Sequence, residues 1–188
     1  LAILLYVMEK WVAMPLLHLE KFPEQMPWWV LTLLILSVVC IAAGGYVIND
    51  YFDVKIDRIN RPDDMVVTRV ISREAAMNWF YVLTAIGIAA GLAVAWWARS
   101  WNLLFIYIVI PGLLWFYSAS YKRMLLVGNL IVAFISALVP LLVAIINADY
   151  LKHLYNEALA YTPIVGQLFV WLSGFALFSF LLTWAREV

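Results

Sequence analysis

Residues 28–58 read WWVLTLLILSVVCIAAGGYVINDYFDVKIDR. No charge occurs from Gln25 to Asn49, a window longer than the roughly 20 residues that cross a ~30 Å hydrocarbon core as helix. The run then ends in Asn49, Asp50, Asp53 and Asp57. Four more windows lack Asp, Glu, Lys and Arg: Ala75 to Ala98, Ser100 to Tyr121, Met124 to Ala148 and Ala158 to Ala185. With 66% hydrophobic residues, 13% charged and a mean hydropathy of +0.94, the chain is unlike a soluble domain, which carries about a quarter charged residues. The reading is all-α: a multi-pass transmembrane helical bundle in a single membrane-embedded domain, 1–188.

Six spans are predicted, at about 1–17, 28–50, 75–97, 101–120, 124–146 and 163–185, with a longer polar loop at about 53–74. The first stretch is apolar but contains Glu9 and Lys10 and starts without an initiator Met, so it reads as the tail of a helix in a chain incomplete at both ends. Lys55, Arg58, Arg61, Arg69, Arg73, Lys122, Arg123 and Arg186 fall on one side of this topology, and only Lys21, Arg99 and Lys152 on the other. Basic residues accumulate on the untranslocated side, so the 53–74 loop is expected in the cytoplasm; the expected location is the plasma membrane. Trp28, Trp29, Trp96, Trp97 and Trp101 fall at the far interface, and Trp79, Trp115 and Trp184 toward the near one, as an aromatic belt requires. Twelve basic and twelve acidic residues cancel, which gives no field for nucleic acid, and no protein partner is inferable. The single cysteine, Cys40, excludes intramolecular disulfides and cysteine metal clusters.

Asn49, Asp53 and Asp57 are spaced i, i+4, i+8, so they share a face if the second helix continues, with Asp50 three residues before Asp53. Only Asp57 has a basic residue four positions on, Arg61. Carboxylates gathered at the end of an apolar helix call for a cation. Oxygen ligands suit Mg²⁺, which binds one or two carboxylates together with substrate phosphates. The plain alternative is a solvated helix end offset by Lys55, Arg58 and Arg61. Tyr117 to Arg123 forms a second polar cluster on the same side, followed by Asn129 inside the next helix. Lys122 and Arg123 there suit diphosphate oxygens, or simply mark the cytoplasmic side. His18 and His153 lie in loops on the far side and receive no role. Gly44 and Gly45 read as close-approach positions, and Tyr46 and Phe52 as packing residues.

The run Asn49 to Pro62 resembles the first aspartate-rich motif of the UbiA family of intramembrane prenyltransferases. Ile71-Ser72-Arg73-Glu74-Ala75, Tyr117 to Arg123 and Gly128-Asn129-Leu130 are similar to family segments in the same order. The resemblance implies nine helices around a cavity open to lipid, about six of which are present here, with two aspartate motifs holding Mg²⁺ and a polyprenyl diphosphate. By that likeness Asn49, Asp50, Asp53 and Asp57 are metal ligands, and Asp53 and Asp57 act in catalysis. Arg58, Arg61, Lys122 and Arg123 bind diphosphate, and Tyr117 and Asn129 contact substrate. The implied reaction is transfer of the polyprenyl group to a lipophilic or aromatic acceptor, with metal-assisted departure of diphosphate.

The family's second aspartate motif is expected just beyond a segment like Arg186-Glu187-Val188, so these 188 residues are expected to be inactive alone. Asp64-Met65 stands where many members carry Arg-Pro. The Tyr-Ser-x-x-Tyr-Lys-Arg and Val-Gly-Asn-Leu patterns look more like the branch alkylating geranylgeranylglyceryl phosphate, in ether-lipid synthesis. An aromatic, quinone-pathway acceptor is the alternative within the enzyme class. From other classes stand a cation transporter or channel with an acidic vestibule, and a scaffold with a partner-binding acidic loop. A transporter calls for a second polar station at mid-membrane, and none is legible in the sequence.

Overall fold

The computed structural model describes every residue except Glu24, Arg61, Asp64, 121–123 and Val188, together with all their side chains except those of Leu125, Glu157, Ala158, Ala160 and Glu187. Six helices are long and apolar enough to cross a membrane. They are α1 (Ala2–Leu19), α2 (Trp28–Asn60), α3 (Arg73–Trp97), α4 (Trp101–Ala119), α5 (Leu125–Tyr155) and α6 (Ile164–Glu187). No strand occurs among the described residues, only a single bridge between Val67 and Ile71.

Apolar side chains gain little by leaving lipid, so helix association here rests on close packing and interhelical hydrogen bonds. The α2–α3 pair uses both. A methyl group at Gly87 would meet Ile41 Cγ1 at 2.7 Å and the Ser37 carbonyl at 3.0 Å, and one at Gly44 would meet Thr84 Oγ1 at 2.9 Å. Ser37 Oγ donates to the Gly87 carbonyl across the same contact, at 2.7 Å. Gly45 faces α4 instead, where Leu114 Cδ1 lies 3.1 Å from the position of a Cβ. The other pair, α5 and α6, is joined by a hydrogen bond from Thr183 Oγ1 to Ser136 Oγ at 3.0 Å. A large apolar cluster drawn from all six helices, including Leu5, Leu34, Val94, Tyr107, Val143 and Leu168, binds the pairs together.

Three boundaries differ from the sequence reading. The second helix does not end near residue 50 but runs to Asn60, so the connecting segment is 61–72 rather than 53–74. Side-chain hydropathy marks where a helix leaves lipid, not where its backbone ladder ends. At about 1.5 Å per residue, α2 is about 50 Å long, and its last residues project beyond a ~30 Å core. Residues 147–155, read as loop, likewise continue α5, and Asn156–Tyr161 adds a 3₁₀ segment. The first helix extends to Leu19 and holds a π-helical stretch, Met8–Ala13, that hydropathy does not reveal.

Tyr46, taken for a packing residue, is 70% exposed on the outer face of α2. Trp115, read as lying toward the near interface, meets Phe52 at 5.5 Å and Phe80 at 5.4 Å between centroids. These rings join α2, α3 and α4 beside the aspartate run. Phe52 thus packs as expected. Trp28, Trp96 and Trp101 remain strongly exposed at the opposite end.

Candidate active site

Continuation of α2 through Asn60 puts Asn49, Asp50, Asp53, Asp57 and Arg58 all on helix. Successive residues advance 100°, so Asn49, Asp53 and Asp57 drift about 40° per step away from the α4-facing line of Gly45. The row thus turns progressively away from the α4-facing line. Asn49 lies about 31 Å along the helix axis from Trp28, at the edge of a hydrocarbon core, and Asp57 about 43 Å. Asn49, Asp53 and Asp57 are half-buried, and Asp50 and Arg58 are exposed. Asn49 Nδ2 donates to Asp53 Oδ2 at 3.1 Å, orienting one carboxylate at the boundary. Arg58 lies in the last turn, where a cation complements the negative end of the helix dipole.

Among the described residues, no three Asp, Glu, His or Cys side chains converge as a metal cage. The reason is geometric: carboxylates four residues apart on one helix are separated by about 6 Å along its axis, and Asp50 is turned about 100° from Asn49. The row therefore suits a cation that takes one or two carboxylates and finds its other ligands elsewhere.

The aspartate helix is braced from the side opposite this row. Val54, Val67 and Ala76 form a small separate core, with Val47, Tyr51, Met65 and Ile71 packed around it, so the connecting segment folds back on α2 and α3. Ser72 caps α3 by accepting from the Ala75 N–H at 3.0 Å. The first residue of α3, Arg73, places its guanidinium 4.6 Å from the Tyr51 ring centroid. Tyr51, Arg73, Glu74, Met77 and Asn78 line a shallow cavity of about 380 Å³ there. The sequence marks Arg73 as a basic residue and as part of a family-like segment, without this contact. An aromatic side chain at Tyr51, on the other face from the row, was the signal for it.

Tyr117 is half-buried near the end of α4, two residues from the Trp115 that touches Phe52, so α4 brings it to the same end as the row. Asn129 is half-buried in the second turn of α5, also at that end. Arg61, Lys122 and Arg123 lie outside the described residues. His18 and His153 fall at the opposite end; His18 Nε2 is 2.8 Å from Gln25 Nε2.

One polar station was missed altogether. Glu9, in the π-helical stretch of α1, is fully buried, and Asn147 Nδ2 of α5 donates to its Oε2 at 2.8 Å. The sequence shows Glu9 inside an apolar stretch, but Asn147 lies 138 positions away.

The sequence profile of the UbiA prenyltransferase family matches residues 20–187. Among similar curated proteins, the digeranylgeranylglyceryl phosphate synthase of Ignicoccus hospitalis is 35% identical over 153 residues, covering 81% of this chain and 45% of that protein. The protein of the same name from Thermococcus kodakarensis is 37% identical over 116 residues, 62% of this chain and 39% of its own. That from Methanobrevibacter smithii is 32% identical over 156 residues, 83% and 50% respectively. The chain thus spans half or less of the length of these three relatives. No solved structure matches it. With its six apolar helices and a family match over nearly all its length, the chain belongs to the UbiA prenyltransferase family.

Proposed function

We propose that this chain carries the first aspartate motif of a Mg²⁺-dependent intramembrane prenyltransferase that moves a geranylgeranyl group from its diphosphate to geranylgeranylglyceryl phosphate. The observation that carries the proposal is the row Asn49, Asp53 and Asp57 on one continuous helix, at the point where an apolar span meets water. The names of the relatives support the choice of acceptor.

The donor set fits the metal. Mg²⁺ commonly retains waters and takes one or two carboxylates plus phosphate oxygens, so a row without a three-acid cage is suitable. Asp53 and Asp57 would hold it, with Asn49 orienting Asp53 and Asp50 in support. When bound, the ion neutralises charge that develops on the departing diphosphate. Arg58, Arg61, Lys122 and Arg123 take the remaining diphosphate oxygens by charge-assisted hydrogen bonds. Tyr117 and Asn129, brought to the same end by α4 and α5, contact substrate. The apolar helix walls accept the polyprenyl tail and exclude water from the reacting carbon. The excess of basic residues at the motif end supports a cytoplasmic mouth.

The test uses the complete reading frame in membranes. Labelled geranylgeranyl diphosphate is offered with geranylgeranylglyceryl phosphate or with 4-hydroxybenzoate, with and without Mg²⁺. The expected product forms only with the glyceryl phosphate and Mg²⁺, and Asp53→Ala lowers its rate by at least about 10²-fold. Product from 4-hydroxybenzoate alone would move the protein to the aromatic-acceptor class. A folded protein with neither turnover nor diphosphate binding would overturn the enzyme reading.

A further inference from the structure

Among the described residues, Glu9 is the one acidic or basic side chain that is buried within a spanning helix. Its position follows from a local defect. Pro15 has no N–H, and its ring crowds the carbonyl four residues earlier, so the preceding turn widens. The Met14 N–H donates to the Glu9 carbonyl, five residues back, and Met8–Ala13 adopts π-helical geometry. Glu9 is thereby set into a helix face whose buried neighbours, Leu5, Met8 and Ala13, belong to the main apolar cluster with Val143 and Leu168. It lies ten residues, about 15 Å, from the end of α1 opposite the aspartate row.

The hydrogen bonds around Glu9 show what it lacks. Asn147 Nδ2 donates one hydrogen to Glu9 Oε2 at 2.8 Å and the other to the Val143 carbonyl at 3.0 Å, so that amide nitrogen has nothing more to give. Glu9 Oε1 is buried with no partner among the described residues. No ion pair reaches Glu9 among the described residues. Lys10, next in the chain, directs Nζ at Met14 Sδ, 3.8 Å away. Asp149 on α5 is engaged by Ser100 and by Lys152, and Glu20 accepts from Gln167 of α6. A carboxylate with one hydrogen bond and no countercharge is far costlier to bury in hydrocarbon than a neutral acid.

We propose that Glu9 binds a proton on Oε1 and, as a neutral acid, forms with Asn147 a latch that holds α1 against α5 in the half of the bundle opposite the aspartate row. The site takes a proton, not a metal ion or a polyanion. Oε2 serves as the acceptor, and the proton converts Oε1 from an anionic oxygen to a hydroxyl of much lower desolvation cost. An amide has the same shape, so Glu9→Gln preserves the latch, whereas Glu9→Ala and Asn147→Leu each remove it.

The test uses the full-length protein in detergent and in liposomes at neutral pH. The infrared difference spectrum of the wild type against Glu9→Gln is expected to show loss of a protonated-carboxyl carbonyl band. Glu9→Gln should melt within a degree or two of the wild type. Glu9→Ala and Asn147→Leu should each melt several degrees lower, and the double variant no lower than the worse single one. A carboxylate band in place of the acid band would overturn the proposal, as would Glu9→Gln melting as low as Glu9→Ala. So would wild-type stabilisation by Na⁺ relative to choline that Glu9→Gln abolishes, which would make the site a cation site. If Glu9→Ala fails to fold, the infrared and Glu9→Gln arms still decide.

Discussion

Gly87 and Gly174 make opposite demands on a side chain. A methyl added at Gly87 collides with Ile41 Cγ1 and the Ser37 carbonyl, and the latter is backbone held at a contact where Ser37 Oγ donates to the Gly87 carbonyl. A methyl at Gly174 meets nothing within 4 Å. Gly87→Ala should therefore destabilise by about 1–3 kcal/mol through overpacking. Gly174→Ala should be neutral or stabilising by up to about 1 kcal/mol through helix propensity. Paired melting curves check both, and equal melting points would mean that the α2–α3 contact yields freely. Asn49, Asp53 and Asp57 were readable in the sequence because their spacing matches a helical repeat. The contact of Arg73 with Tyr51, between residues on different helices, was not.

At the scale of elements, the polar extension of α2 and the segment after it behave as one unit. Val67 is the buried centre that, with Met65 and Ile71 beside it, fastens the connecting segment to α2 and α3 together with Val54 and Ala76. Val67→Ala removes about two methylene equivalents, or about 1–2 kcal/mol, from this small core. Because the loss is local, global melting should change little, while proteolysis within 61–72 should speed up about 5- to 30-fold. Unchanged cleavage would show that the segment is held by other contacts. Hydropathy placed the end of α2 at about residue 50 because side chains there change from apolar to charged. The helix continues because Val47, Tyr51 and Val54 still have a surface to pack on, and that surface comes from residues after 60. The same applies beyond residue 146 in α5, where Tyr150 stacks on Trp97 at 4.0 Å and Asp149 accepts from Ser100 at the cap of α4.

Across the whole molecule, six spans put residue 68 and residue 153 at opposite ends of the bundle. Cys40 is buried, so a Cys40→Ser background suits labelling. Thr68→Cys should react with an impermeant maleimide only from the cytoplasmic face of membrane vesicles, and His153→Cys only from the other. Labelling of both from one face would refute the three crossings between them, α3, α4 and α5, and reversed labelling would refute the orientation read from basic residues.

Composition and the five uncharged windows determined by themselves that the chain is a helical membrane protein, since hydrocarbon admits no unpaired backbone and so leaves helices as the means of crossing. Spacing determined that the carboxylates share a face, because the α-helical repeat is local and constant. Tertiary structure alone decided how far α2 and α5 run past the lipid, that Trp115 packs between helices, and that Glu9 faces Asn147. Those outcomes depend on which distant side chains arrive beside a given residue, and a contact across 138 positions leaves no periodic trace in the chain.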